Sequence, residues 1–252
     1  MTFNVRFATA PDGDHAWPLR REAAFAVVRE ARPHLVGLQE ALASQLDEFC
    51  EALPGYDRLG VGRDDGIAAG EHGAILVDRE RLAVLQHSDF WFSDTPEVPG
   101  STSWGNENVR MCTFARLTDR LGGGSLWHYN LHIDHASQFS RLNSIGLLLE
   151  RIEDRSPADP VVVTGDFNVG EGDEVILSML GAGFTDTFRA ANPDAVDAAT
   201  YHDFTGCTGG DKIDYIFAGR GLETVGSEIL RSSYGGKWPS DHFPVIADLR
   251  QL

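Results

Sequence analysis

Val161-Val162-Val163-Thr164-Gly165-Asp166-Phe167-Asn168 opens as a run of β-branched residues and closes on a carboxylate and a carboxamide. The run predicts a buried strand, and the Gly-Asp step predicts its end. Alternation along extended backbone puts Asp166 and Asn168 on one side with Phe167 turned into the core. A carboxylate so placed can orient and deprotonate water, and a carboxamide can hold that water or a phosphoryl oxygen. Similar polar clusters recur along the chain. Asn130-Leu131-His132-Ile133-Asp134, Lys212-Ile213-Asp214-Tyr215 and Ser240-Asp241-His242 each sit at or beside a short apolar, β-rich run, as do Asn4 in Thr2 to Arg6 and Glu40 after Val36-Gly37-Leu38-Gln39. The series holds carboxylates, carboxamides and imidazoles but no nucleophilic serine or cysteine motif, an inventory that suits a hard metal and a phosphate ester.

Each cluster alone has an ordinary structural use. Gly-Asp and Asn-Val-Gly are common turn chemistry, a glutamate after a strand often serves the helix that follows, and Asp241 can cap a turn. In the functional reading Glu40 is the primary metal ligand, and Asp241 is a metal-capable carboxylate beside an imidazole. Asp214 hydrogen-bonds His242 from a neighbouring strand and fixes its tautomer, Glu71 pairs with His132, and Arg110 meets a phosphate. His72, His128, His135 and His202 are ambiguous by sequence, whereas His15, His34 and His87 read as structural or surface residues.

Composition narrows the field. The 252 residues carry 21 Lys and Arg against 38 Asp and Glu, a formal charge of −17, and 42% of them are hydrophobic. Such a chain fills a sizeable core, and with no repeat, low-complexity tract or Pro/Gly/Ser linker, residues 1–252 are expected to form one domain. The negative surface disfavours a nonspecific nucleic-acid clamp, although a bound cation inverts the field within a single cleft. The loops Asp94 to Asn108 and Asn192 to Gly210 contain no Lys or Arg, so they cannot track a phosphate backbone. They do offer Trp104, Tyr201, His202 and Phe204 to enclose a compact group. Cys50, Cys112 and Cys207 are odd in number and widely spaced, which points to a reduced, cytoplasmic setting without a disulfide framework or zinc site. No apolar run is long enough to span a membrane, and no signal-peptide pattern opens the chain. Met1 to Phe7 reads as a strand already under way, leaving room for a few residues upstream.

Periodicity predicts helices over Trp17 to Glu30, Ser44 to Ala52 and Ser140 to Ile152. Strands are expected at Leu35 to Leu38, Ala74 to Val77, Leu82 to Phe92, Val109 to Leu117, Ser125 to Leu131, Val161 to Thr164, Lys212 to Ala218, Thr224 to Leu230 and Phe243 to Leu249. Hairpins interrupted by few helices favour an α+β fold, with two antiparallel-rich sheets face to face and helices outside.

Taken in order, Asn in the first strand, Gln-Glu ending the second, Asn-x-His, Gly-Asp-Phe-Asn, Ile-Asp-Tyr-Ile-Phe and the late Ser-Asp-His resemble the endonuclease/exonuclease/phosphatase superfamily from Thr2 to Leu249. Phe90 to Gly100, followed by Ser103-Trp104-Gly105, is similar to a bacterial branch of mostly unassigned substrate. The resemblance implies a four-layer α/β/β/α sandwich and a Mg²⁺- or Mn²⁺-dependent hydrolase of phosphoester bonds. Glu40 would bind the metal with Asn4 and Asp241, Asp166 would activate water and Asn168 orient it. His242, backed by Asp214, would contact the scissile phosphate, and His132, backed by Glu71, would act electrostatically or as general acid. Arg110, Asp134, Trp104 and His202 are the expected substrate contacts, although Asp134 and His135 depart from the common superfamily pattern. The expected substrate is a small phosphorylated or phosphodiester metabolite; the alternatives are a nuclease and, less favoured, a silent binding module.

Overall fold

The computed structural model describes residues 1–122 and 124–252; the sequence favours a turn across Gly122-Gly123-Gly124, joining the strands expected at Val109 to Leu117 and Ser125 to Leu131, and its central glycine lies outside the described residues. Among the described residues, twelve strands fall into two six-stranded sheets. The first contains β1 (Thr2–Asn4), β2 (Leu35–Gln39), β3 (Tyr56–Leu59), β4 (Ile75–Asp78), β11 (Leu222–Ile229) and β12 (Val245–Gln251), in the order β11-β12-β1-β2-β4-β3. The second contains β5 (Leu82–Trp91), β6 (Met111–Asp119), β7 (Ser125–His132), β8 (Val161–Asp166), β9 (Thr185–Asp186) and β10 (Asp214–Ala218), in the order β5-β6-β7-β8-β10-β9. Neighbours are antiparallel except β1 with β2 and β7 with β8. Those two parallel pairs matter most for function, because they bring four strand C-termini to one end of the molecule.

Helices cover the outer faces. Trp17, Phe25 and Val28 of α1 (Trp17–Ala31) and Leu46 and Phe49 of α2 (Ala43–Ala52) pack with Phe3, Val36, Leu38 and Leu76 of the first sheet. Ile145, Leu148 and Ile152 of α3 (Gln138–Glu153) and Val175, Ile176 and Met179 of α4 (Glu174–Gly181) cover Tyr129, Leu131, Val163 and Phe217 of the second. A five-residue α5 (Thr187–Ala191) adds Phe188 to the inter-sheet core. The result is the expected four-layer sandwich.

Between the sheets, two apolar patches flank a buried polar seam. Gln39 Nε2 donates to Thr2 Oγ1 at 3.1 Å and Asn130 Oδ1 at 2.7 Å, Thr164 Oγ1 donates to the same Asn130 oxygen, and His128 Nε2 lies 2.7 Å from Thr164 Oγ1. Asn130 Nδ2 in turn donates to Leu38 O and Ala74 O, so one side chain of the second sheet reads the backbone of the first and fixes how the sheets meet. Gly37 is required there, since a Cβ on it would stand 2.2 Å from both Asn130 Oδ1 and Thr164 Oγ1.

The sequence reading departs from the structure at particular elements. It lacks β3, a charged edge strand, as well as α4 and α5, which Asp173 and Asp186 cap by accepting from Val175 and Phe188 N–H. Strand ends shift too: β1 stops at Asn4, β10 begins at Asp214 rather than Lys212, and β12 begins at Val245.

Candidate active site

The site starts from strand register. His132, Asp166 and Asp214 stand opposite one another across β7, β8 and β10, while Asn4 pairs with Gln39 across β1 and β2. Three of these strands, β1, β2 and β8, are followed by a left-handed residue other than glycine: Arg6 at φ 55°, Glu40 at 63° and Asn168 at 53°. Such backbone costs on the order of 1–3 kcal/mol per residue and persists where the surroundings hold it. The Asn168 turn also corrects the alternation argument. Asp166 is the last strand residue and Phe167 is buried as expected, but a reversal of the chain, not the pleat, brings Asn168 to the same volume.

Asp166 is the hub. Its Oδ2 accepts from Asn4 Nδ2 at 2.9 Å and lies 3.6 Å from His132 Nε2 and 4.0 Å from His242 Nε2, while Oδ1 accepts the Asn168 N–H at 2.9 Å. Asn168 Nδ2 donates to Ile133 O at 3.0 Å and sits 3.0 Å from His132 Nε2. Because Ile133 O only accepts, the nitrogen assignment is fixed, His132 Nε2 must accept, and its proton resides on Nδ1. His242 Nδ1 lies 2.9 Å from Asp214 Oδ2, leaving Nε2 directed at Asp166.

The two imidazoles carry different charge. Burial opposes a charge on each. At His242, attraction to Asp214, the hydrogen bond to it, and the charges of Asp241 and Asp166 prevail and raise its pKa well above the usual value. At His132, the Arg110 and Arg63 guanidiniums reinforce burial, and the ring stays neutral. Asp166 is pushed up to about 7 by burial and by the Asp214 charge. One carboxylate thus stands between a cationic donor and a neutral acceptor.

Beside this hub, Glu40 Oε1 accepts from Asn4 Nδ2 at 3.0 Å and Oε2 from Phe7 N–H at 3.3 Å. Asp241 is buried, and burial together with the Glu40 charge raises its pKa despite Arg6, whose Nε is 3.7 Å away. Glu40, His132 and Asp166 each offer a ligand atom within 4.8 Å of the others, as do Asp166, Asp214 and His242. Crowded, partly uncompensated oxygen donors fit a hard divalent cation. Asp241, expected to share the metal with Glu40, falls in neither of these two groups.

Several expected residues play other parts. The Asn4 carbonyl accepts the Arg6 N–H at 3.0 Å, so its amide nitrogen faces the two carboxylates and it acts as donor rather than metal ligand. Glu71 pairs with Arg63 at 2.5 Å instead of His132; both line a small cleft with His72, Arg110 and His132. Arg110 is buried there with its Nη2 3.3 Å from His135 Nδ1. The Asp134 carboxylate is consumed by the N–H groups of Glu107, Ala136 and Ser137 and has no exposure with which to meet a substrate. His202 is likewise interior: it stacks on Phe243 at 3.8 Å and burial lowers its pKa to about 4. Phe204 stacks on His15, and Trp104 donates its indole N–H to Asp94. The neighbour of His202, Tyr201, is exposed and lies edge-on to His242 at 5.1 Å. Gln39 and Arg6 also support the site; Gln39 was visible only as part of Gln-Glu, and nothing in the local sequence singled out Arg6.

A four-layer sandwich that gathers carboxylates and imidazoles at one end defines the phosphoesterase and nuclease class. Residues 1–242 match the Endonuclease/Exonuclease/phosphatase family, and the chain belongs to it. Its structure superposes on the mannosyl-6-phosphatase of Bacteroides thetaiotaomicron with a TM-score of 0.93 at 30% identity, covering 99% of this chain and 98% of that one. An endonuclease/exonuclease/phosphatase from Bacteroides vulgatus gives 0.93 at 31% identity, covering 100% and 97%. The human Nocturnin catalytic domain, at 16% identity and a TM-score of 0.79, shares the fold. An uncharacterized protein of Acanthamoeba polyphaga mimivirus is 27% identical over 167 residues; the match spans 62% of this chain and 61% of that protein's length.

Proposed function

We propose that the protein is a divalent-metal-dependent phosphoesterase acting on a small phosphorylated substrate, with a sugar phosphate as the first class to test. The observation that carries this reading is the placement of Asp166 Oδ2 within reach of Asn4, His132 and His242. In this reading Glu40 and Asp241 hold Mg²⁺ or Mn²⁺, which when bound polarises the phosphoryl group and offsets its developing charge. Asp166, with its raised pKa, accepts a proton from the attacking water, and Asn4 holds its carboxylate in place. Asn168, tied to Ile133 O and His132, keeps the water in line. Cationic His242 donates from Nε2 to a phosphoryl oxygen, and Asp214 sustains its charge. His132, being neutral, orients Asn168 rather than serving as a general acid.

The 30% identity to a mannosyl-6-phosphatase over nearly the whole chain favours a phosphorylated sugar, and the absence of Lys and Arg from the loops Asp94 to Asn108 and Asn192 to Gly210 weighs against a polyanion. The test is turnover of hexose phosphates, p-nitrophenyl phosphate and duplex DNA with Mg²⁺, with Mn²⁺ and with chelator. Metal-dependent release of phosphate from a sugar phosphate is the expected result. Full turnover in chelator, or efficient salt-sensitive cutting of DNA with no sugar-phosphate hydrolysis, would overturn the reading.

A further inference from the structure

Asp134 and His135 directly follow the strand that delivers His132, yet the proposed chemistry uses neither. Their contacts run to the loop Ser103 to Glu107. Asp134 Oδ1 accepts the Glu107 N–H at 3.2 Å, while its Oδ2 caps the turn through the N–H groups of Ala136 and Ser137. His135 Nε2 lies 2.8 Å from Glu107 Oε2, Ser137 Oγ donates to Trp104 O at 3.0 Å, and Ser140 Oγ donates to Asn106 Oδ1. From the far side Asn106 Nδ2 donates to Phe92 O, and the Trp104 indole N–H donates to Asp94. Trp104 is held at a φ of 61°, so the loop keeps an unfavourable backbone under this set of ties. The seam also reaches the reaction centre, since Arg110 contacts His135 and lines the same cleft as His132.

We infer that Ser103 to Glu107 is a fixed wall for the leaving group, and that Asp134 is the positioning residue that pins it. With Asp94 beside it, the segment offers the partly buried Trp104 ring, the Asp94 carboxylate that accepts its N–H, the Glu107 carboxylate next to His135, and no Lys or Arg. That chemistry selects an uncharged, hydroxylated leaving group, a sugar or other polyol, whose C–H face packs on the ring and whose hydroxyls bond the carboxylates. A second phosphate or a carboxylate on the substrate would be repelled. The inference rests on the phosphoesterase reading above and deepens it by assigning the selection of substrate.

The experiment measures kcat and KM of the Mn²⁺-loaded enzyme for mannose 6-phosphate and p-nitrophenyl phosphate, in wild type, Asp134→Asn and Trp104→Ala, with amide exchange over residues 103–107. For Asp134→Asn, KM for the sugar phosphate is expected to rise about tenfold or more with kcat nearly unchanged, the signature of lost binding shared by ground and transition states. The p-nitrophenyl phosphate constants stay put, and exchange in the loop speeds up. Trp104→Ala, on a partly exposed loop, gives the same KM split should Asp134→Asn fail to fold. Equal loss of kcat on both substrates would place Asp134 in the chemistry, and an unchanged KM despite faster loop exchange would show that the wall never meets substrate; either overturns the inference while leaving the phosphoesterase reading intact. Failure of wild type to hydrolyse either compound overturns the reading and the inference together.

Discussion

At one end of the paired sheets, Glu40, Asp166, Asp214 and Asp241 crowd around His132 and His242. At the other, a cavity of about 450 Å³ is lined by Leu126, Val162, Ile216, Leu249 and the buried His128, together with Arg32, Arg81, Asp119, Asp248 and Arg250. That cavity carries charged groups of its own, but none of the four carboxylates or two imidazoles named at the first end lines it. Volume is therefore a poor guide to the site in this molecule. What marks it is electrostatic conflict, with two acids raised by burial and by each other's neighbours and two imidazoles driven in opposite directions. The two ends are joined by the polar seam His128–Thr164–Asn130–Gln39, which stops one residue short of Glu40 and two short of His132 and Asp166.

The largest effect expected is from Asp166→Asn, which keeps shape and removes the proposed base: activity falls by ~10²–10⁴-fold with the circular dichroism spectrum unchanged. Ala247→Leu, on the far cavity, leaves turnover within about twofold. A reversal of these two results would break the comparison outright. Next comes the contrast between the imidazoles. His242→Gln removes a charged donor and costs ~10²–10³-fold, whereas His132→Gln retains an acceptor for Asn168 and costs about tenfold or less. Equal losses, measured as kcat at saturating metal, would mean that the two rings do not differ in charge.

The seam supplies a test of stability. Gly37→Ala forces a methyl against Asn130 and Thr164, so a loss of about 2–3 kcal/mol in urea unfolding is expected. His128 supplies the smallest effect and a definite sign. Burial lowers its pKa to about 3, so the unfolded chain takes up a proton near the usual value of 6.5 while the folded one does not. Its contribution is whole above that value and is lost as pH falls toward 3, with a slope of at most about 1.4 kcal/mol per pH unit. Comparison with His128→Gln isolates it; parallel pH profiles for the two proteins would refute the assignment.

The sequence made one end of this molecule readable and left the other dark, for a physical reason. Residues such as Asp166, Asp214 and His242 are polar at the tips of apolar runs, so their exposure to a shared volume follows from strand length alone. Partnerships are another matter. Glu71 was free to meet His132 or Arg63 by spacing, and the three-dimensional contest went to the guanidinium. Asn130 and His132 look equivalent in alternation, yet one faces the opposite sheet and the other faces Asp166. His202 and Tyr201 are adjacent, and only packing on Phe243 decides which turns inward. The edge strand β3 and the capped helices α4 and α5 escaped for a similar reason: their stability comes from neighbours rather than from periodicity.

The layout of the sheets along the chain has a consequence for synthesis. β5 to β10 are consecutive, so the second sheet can assemble while the ribosome is still adding residues, but the first needs β1 to β4 from the beginning and β11 and β12 from the end. Asp241 and His242 immediately precede β12, which inserts between β11 and β1. A nascent chain that has already displayed Glu40, His132 and Asp166 therefore lacks Asp241 and His242 beside them until β12 docks. On the proposed roles, both residues join the site together when β12 takes its place between β11 and β1.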